Sequence, residues 1–189
     1  MPAEQILAQR IVWSSVFALA LLLAFRQGKA LVMAFRQPKL LATFALSSLL
    51  IAANWLIYLW AIIHHHVVEA SLGYFINPLV NMLLGRVIFK ERLNVWQMAA
   101  IALAVAGIVW LAIPAGQIPW VSLFLAFTFG LYGAVRKLAP MPPLAGLTLE
   151  TLLLLPFALG YLAWCGTQNT LVFGELTLLQ KTVLFASGA

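Results

Sequence analysis

Long apolar stretches separated by short polar loops dominate the pattern of this chain. A membrane-spanning helix needs about 20 mostly apolar residues, at a rise of about 1.5 Å per residue. Seven stretches are candidates: Ile6–Phe25, Leu40–Ile63, Glu69–Phe89, Val95–Ile113, Trp120–Leu138, Leu144–Trp164 and Leu176–Ala189. The last contains Lys181 and is too short to span as it stands. The pattern predicts an all-α polytopic membrane protein, a helical bundle of about six to seven transmembrane segments.

The third stretch, Glu69–Phe89, carries polar residues and a proline inside an apolar helix. Every fourth residue along its centre is small or polar, and these residues share one helical face: Gly73, Asn77, Asn81 and Gly85. Pro78 lacks an N–H group and clashes with the preceding turn, so we expect it to bend the helix. Broken helices near the bilayer midplane are typical of secondary transporters. The alternative is a simple kink, with asparagines that hydrogen-bond neighbouring helices.

Small residues at helical spacing mark a second packing face in the fifth stretch. Ala126, Gly130 and Ala134 follow each other at intervals of four residues. Because lipid provides no hydrophobic drive between helices, membrane helices meet where small residues allow close approach. We therefore expect this face to contact another helix.

Composition and charge fit a protein embedded in the lipid bilayer. The 189 residues are 64% hydrophobic and 8% charged, whereas soluble domains are about 25% charged. The net charge of +6 comes mainly from basic residues in or beside short loops, so it indicates membrane topology and no nucleic-acid partner. The single cysteine, Cys165, excludes an intrachain disulfide.

Lys and Arg alternate between loops in a way that predicts orientation. The loops after the first, third and fifth stretches hold Arg26, Lys29, Arg36 and Lys39, then Arg86, Lys90 and Arg92, then Arg136 and Lys137. The other three loops hold neither residue type. By the positive-inside rule, loops 26–39, 86–94 and 136–143 are predicted to be cytoplasmic.

This orientation places residue 1 outside the cell, although the N-terminus has no recognisable signal peptide. The seventh stretch is also shorter than a full span. We therefore expect the chain to be part of a larger bundle.

Glu150 is the most informative charge, because it lies within the sixth stretch on the predicted cytoplasmic half. An acid at mid-helix costs about 2.5–3.5 kcal/mol on insertion scales. It is either a proton-coupling or substrate-amine site, or a structural partner for Arg136 or Arg10, or a group wetted at the interface. Pro156, six residues later, is expected to bend this helix too.

Three other features have two interpretations each. Arg10, one turn into the first stretch, binds an anionic group in a cavity or extends to the lipid headgroups. Asn54 and Tyr58 line the same cavity or hydrogen-bond a neighbouring helix. Residues His64–His66 resemble a metal site, but consecutive side chains diverge and ligands must converge, so no metal is predicted.

The usual enzyme signatures are absent from the sequence. It contains no G-x-x-x-x-G-K-[ST], H-E-x-x-H or G-x-S-x-G motif. An arginine ladder and a TVGYG filter are also missing. We therefore predict no enzyme activity, no catalytic residue and no cofactor.

Several segments together resemble the RarD branch of the EamA-type drug/metabolite transporters. They are SLGYFINPLVN (71–81) with Gly85, Asn54–Trp55, Glu69–Ala70, Leu131–Tyr132–Gly133 with Val135–Arg136–Lys137, and Glu150–Thr151 with Pro156. Arg10 with Val12–Trp13–Ser14 resembles that branch's second helix, and Glu91–Arg92–Leu93 resembles the general EamA pattern.

The resemblance implies a ten-helix fold made of two inverted five-helix repeats. Residues 1–113 would form the first repeat without its first helix, and residues 120–189 the start of the second. The implied function is an inner-membrane permease that moves a small-molecule substrate, a metabolite or drug, by alternating access. The residues expected to face its cavity are Arg10, Asn54, Tyr74, Asn77, Asn81 and Glu150. The alternative is a truncated membrane protein without transport activity of its own, or one that must pair as a homodimer.

Overall fold

The computed structural model describes residues 1–115, 119–168, 170–172 and 178–188. These residues form helices joined by short turns, without a strand among them. The helices are α1 (Ala3–Ala24), α2 (Gly28–Phe35), α3 (Pro38–Ile63), α4 (Val67–Ile88), α5 (Val95–Ala115), α6 (Trp120–Lys137), α7 (Pro143–Thr167) and α8 (Leu178–Ser187). The predicted all-α fold is confirmed.

The seven predicted segments correspond to α1 and to α3 through α8. The prediction missed α2, which lies in the first basic loop and has only 8 residues. Its alanines, leucine and methionine favour a helix, but a search for spanning lengths does not detect so short an element. Leu176 and Ala189, the predicted ends of the seventh segment, lie outside the described residues.

Four helices in the described part of the chain are long and apolar enough to cross a membrane: α1, α3, α4 and α7. The described part of α5 adds a shorter apolar helix, Val95–Trp110. α6 has 18 residues and ends on two basic ones, Arg136 and Lys137. These features are those of an integral, multi-pass membrane protein.

Neither internal proline interrupts its helix. α4 is helical from Val67 to Ile88 around Pro78, and α7 from Pro143 to Thr167 around Pro156. A broken helix is therefore not observed at either position. In membrane helices, neighbouring groups and small local adjustments satisfy the backbone carbonyl that a proline leaves without a partner. The expected bends stay predictions.

The first of two compact units comprises Met1–Ala52 and Ala139–Ala189. In it α1 packs along α7, while α2 contacts α7 and α8 contacts α1. A core of Ala34, Phe44 and Leu149 joins α2, α3 and α7. The ring of Phe185 on α8 meets Trp13 and Phe17 at centroid distances of 4.7 and 4.9 Å.

The second unit, Ala53–Leu138, is built on the pairing of α4 with α6. A Cβ atom on Gly73 would lie 3.1 Å from the Ser122 carbonyl oxygen, and one on Gly130 would lie 2.9 Å from Val80 Cγ1. Ala126 is fully buried at the same interface. The two small-residue faces predicted from the sequence therefore pack against each other.

α3 belongs to both units, because the division falls between Ala52 and Ala53. The units do not follow the predicted repeats, 1–113 and 120–189. Packing defines the units, whereas chain order and symmetry define the repeats, so the division into repeats stays a prediction.

Candidate functional site

The Glu150 side chain lies inside the first unit, with 2% of its surface exposed. The hydroxyl of Ser47 on α3 donates to its Oε1 atom at 2.6 Å. Ser47 is itself fully buried. The burial of Glu150 argues against the interpretation that it is wetted at the interface, and its hydrogen bond joins α7 to α3.

Other buried hydroxyl groups lie close in sequence to Ser47 and Glu150. Ser48, Thr148 and Thr151 are each at most 9% exposed. Thr148 donates to the Leu144 carbonyl at 2.8 Å, and Thr151 to the Thr148 carbonyl at 3.0 Å. Serine and threonine hydroxyls return to carbonyls of the preceding helical turn in this way, so the polar cluster is accommodated without breaking the helices.

Arg10 lies on α1 in the same unit and is half-buried. The other four predicted cavity residues belong to the second unit. The six candidates therefore form two groups: Arg10 with Glu150, and Asn54 with Tyr74, Asn77 and Asn81.

A small recess in the second unit brings three of the candidates together. It is lined by Asn54, Gly73, Tyr74, Asn77, Leu125 and Phe129. Its volume of about 10 Å³ has room for about one water molecule. α3, α4 and α6 thus bring two amide groups and a phenol to one small recess.

Asn54 both lines this recess and joins two helices. Its Nδ2 atom donates to the Leu125 carbonyl at 2.9 Å and lies 2.8 Å from Thr128 Oγ1. The side chain is 8% exposed. The interpretation that Asn54 hydrogen-bonds a neighbouring helix is therefore met, and its place in a substrate cavity stays a prediction.

Tyr74 belongs to a row of aromatic rings on α3 and α4. Its ring meets that of Tyr58 at a centroid distance of 6.0 Å, and Tyr58 meets Trp55 at 5.6 Å. Tyr74 remains 56% exposed. The tyrosine therefore offers both a ring face and a hydroxyl beside the recess.

An open groove of about 280 Å³ lies further along α4 and α6. Its lining includes the small residues Gly85, Gly130 and Gly133, together with Asn81. The Asn81 Nδ2 atom donates to Asn77 Oδ1 at 3.3 Å. This contact joins the recess, which Asn77 lines, to the groove.

An ion pair stands at the edge of the groove. Lys137 Nζ lies 2.8 Å from Glu91 Oε1 and 4.2 Å from the centroid of the Phe89 ring. Both charged side chains are more than half exposed. This pair was not predictable from the sequence, because 46 residues separate its members.

We expect the Glu91–Lys137 pair to contribute little to stability, because exposed ion pairs are typically worth less than about 1 kcal/mol. A double-mutant cycle with Glu91→Gln and Lys137→Gln, followed by thermal unfolding in detergent, measures the coupling. A coupling well above about 1 kcal/mol would contradict this assignment and indicate a pair that is strongly shielded from water.

The histidines of the loop between α3 and α4 take part in packing. The rings of His64 and His66 both stack on Trp60, at centroid distances of 4.5 and 5.4 Å. His66 Nδ1 also lies 2.7 Å from Glu69 Oε1. Within the described ranges, no three His, Cys, Asp or Glu side chains are grouped so as to hold a metal ion. The prediction of no metal site stays a prediction.

Two residues of the site were missed by sequence reasoning. Ser47 is one of several hydroxyl residues in the charge-free stretch Leu40–Ile63, and 103 residues separate it from Glu150. Thr128 lies next to the predicted small-residue face of α6, 74 residues from Asn54. The available signal was that buried polar side chains such as Glu150 and Asn54 require hydrogen-bond partners. This requirement does not identify which residue the partner is.

A sequence model described as the EamA-like transporter family matches residues 1–113. The chain is 48% identical over 170 residues to the uncharacterized transporter YojE of Bacillus subtilis. The aligned region covers 88% of this chain and 57% of YojE. It is 42% identical over 187 residues to protein RarD of Salmonella typhimurium, covering 99% of this chain and 64% of that protein.

A third relative is the chloramphenicol-sensitive protein RarD of Pseudomonas aeruginosa. It is 38% identical over 172 residues, covering 87% of this chain and 56% of the relative. The chain thus spans less than two thirds of the length of these curated relatives. No solved structure matches it.

Proposed function

This chain belongs to the EamA-like transporter family as a RarD-like member, and from that premise we propose that it acts as an inner-membrane permease. It moves small metabolites or drugs by alternating access, with the three basic loops in the cytoplasm. The observation that carries the proposal is Glu150, a buried carboxyl group within a membrane helix. Acidic residues in such positions mark ion pathways and proton relays.

The recess and the groove together supply the proposed solute path along α4. Asn54, Asn77 and Asn81 offer amide groups that donate and accept hydrogen bonds, and Tyr74 offers an aromatic face. Small-molecule sites combine apolar walls with a few polar groups of this kind. In alternating access, the recess described above corresponds to a closed path, and a solute enters when it opens.

Transport by this chain can be tested in lipid vesicles that contain the purified 189-residue protein. Because one relative is named as chloramphenicol-sensitive, radiolabelled chloramphenicol is the first probe, followed by a panel of labelled metabolites. We expect accumulation that depends on an imposed proton gradient. Accumulation no greater than in protein-free vesicles, for every probe, would favour the alternative of a membrane protein without transport activity of its own.

Filling the groove is expected to slow transport without unfolding the protein. A Cβ atom on Gly133, which lines the groove, would meet nothing within 4 Å. Gly133→Leu therefore places its side chain in open space, and we expect the initial rate to fall about tenfold, or about 1.4 kcal/mol in the barrier.

The matched control is Gly160→Leu on α7, where a Cβ atom also meets nothing within 4 Å. Gly160 does not line the groove. Equal rates for the two variants, with both folded, would rule out the groove as part of the path.

A further inference from the structure

We propose that Ser47 is a positioning residue whose hydroxyl turns between two acceptors, so that Glu150 stays hydrogen-bonded in both of its protonation states. Ser47 Oγ lies 2.6 Å from Glu150 Oε1 and 3.0 Å from the Phe44 carbonyl oxygen. A serine hydroxyl has one proton to donate. It therefore donates to one of these acceptors at a time. The inference rests on the proposed function, in which Glu150 carries a proton.

When Glu150 is ionised, the Ser47 hydroxyl donates to Oε1. The separation of 2.6 Å falls within the range of about 2.5–2.7 Å for a hydroxyl donating to a charged oxygen. The Phe44 carbonyl then remains as the second acceptor within reach, 3.0 Å away. This is the first position of the hydroxyl.

When Glu150 takes up a proton, the carboxyl group becomes a donor and Ser47 Oγ becomes its acceptor. The Ser47 proton then turns to the Phe44 carbonyl. Both oxygen–oxygen distances already suit hydrogen bonds, so only the hydroxyl rotates. The proton on Glu150 comes from water on one side of the membrane and returns to water on the other, while Ser47 keeps its own proton throughout.

The neighbouring Ser48 shows what distinguishes Ser47. Ser48 is also buried, at 2% exposed, and its hydroxyl donates to the Ala45 carbonyl at 2.9 Å, which is the same return to the preceding turn. Ser47 has the equivalent carbonyl and, in addition, a carboxyl oxygen within reach. The two residues therefore form a matched pair for experiment.

The helices of this unit carry other charged side chains besides Glu150. They are Glu4 and Arg10 on α1, Lys29 on α2, Lys39 on α3 and Lys181 on α8. Variants at Ser47 and Ser48 leave all of these charges in place. A difference between the two variants therefore reports on the Ser47 hydroxyl.

Infrared difference spectroscopy of the whole protein in lipid, recorded as the pH is changed, tests the inference. The carbonyl band of protonated Glu150 is assigned by its loss in Glu150→Gln. We expect Ser47→Ala to move this band to higher frequency, because the carboxyl group loses a hydrogen-bond partner, and to lower gradient-driven accumulation about tenfold. Ser47→Thr keeps the hydroxyl and is expected to restore both, whereas Ser48→Ala changes neither.

An unmoved Glu150 band in Ser47→Ala overturns the inference, and so does an equal shift in Ser48→Ala. A spectrum without any band that Glu150→Gln removes overturns it as well. If Ser47→Ala alone moves the band while no variant accumulates any solute, the role of Ser47 stands and the proposed transport function fails. The two conclusions are thus separable.

Discussion

Glu150→Gln is expected to abolish proton-coupled accumulation while the protein remains folded. Glutamine has nearly the same shape, and its carbonyl oxygen can still accept from Ser47, which donates to Glu150 at 2.6 Å. Its amide group does not take up a proton at physiological pH. A coupling step that depends on this group is therefore lost, and we expect gradient-driven accumulation to fall at least about 100-fold, or about 2.7 kcal/mol.

The measurement compares two modes of transport in the same vesicles. Gradient-driven accumulation requires the proton, whereas exchange of labelled for unlabelled solute at equal pH requires only the solute path. We expect the variant to lose the first and keep the second. Glu4→Gln on α1, an exposed carboxyl in the same unit, is the control and should affect neither. Full coupling in Glu150→Gln would exclude the proton-carrying role.

Gly73→Leu is expected to destabilise the second unit severely. A Cβ atom at this position would lie 3.1 Å from Leu125 Cβ, 3.1 Å from the Ser122 carbonyl oxygen and 3.4 Å from Ser122 Cα. Two of these atoms belong to the backbone of α6, so they cannot yield unless α6 moves away from α4. Overpacking of this kind typically costs about 1–3 kcal/mol and occasionally more.

The same movement would break contacts that tie α4 to α6. Ser122 Oγ donates to the Glu69 carbonyl at 2.6 Å, and this bond requires close approach of the two helices. We therefore expect a loss near the upper end of that range, about 3 kcal/mol, measured as a lower midpoint of thermal unfolding in detergent. Gly160→Leu, in open space on α7, should change the midpoint little. A stable Gly73→Leu protein would show that α4 and α6 do not pack at this distance.

The helices and their packing faces were predictable because the membrane constrains both. A spanning helix has a minimum apolar length, so α1 and α3–α7 are visible in the sequence as long, mostly apolar stretches. Close helix contact without a hydrophobic drive requires small side chains. Gly73 and Gly130 therefore indicated an interface, and α4 and α6 do meet there.

The partners of the polar residues were not predictable from the sequence. Glu150 was identified as costly in a membrane, but the hydroxyl that contacts it belongs to α3, and only the packing of α7 on α3 brings Ser47 to it. Asn54 was left with two interpretations because an amide group has several hydrogen-bonding positions. Asn54 lines the recess, and its Nδ2 atom also donates to the Leu125 carbonyl on α6. α2 was missed because a helix of 8 residues within a basic loop is too short to be found by a search for spanning lengths.

The continuity of α3 across the two compact units has a thermodynamic consequence. Ser47 and Asn54 are seven residues apart along this one helix. One contacts the proposed proton carrier and the other lines the proposed solute recess. If solute binding displaces α3 enough to change the proton affinity of Glu150, then protonation changes the solute affinity by the same factor. Solute affinity can be measured at several pH values, and proton uptake at several solute concentrations. Both titrations would yield the same coupling factor, which measures how strongly solute binding and protonation of Glu150 are linked.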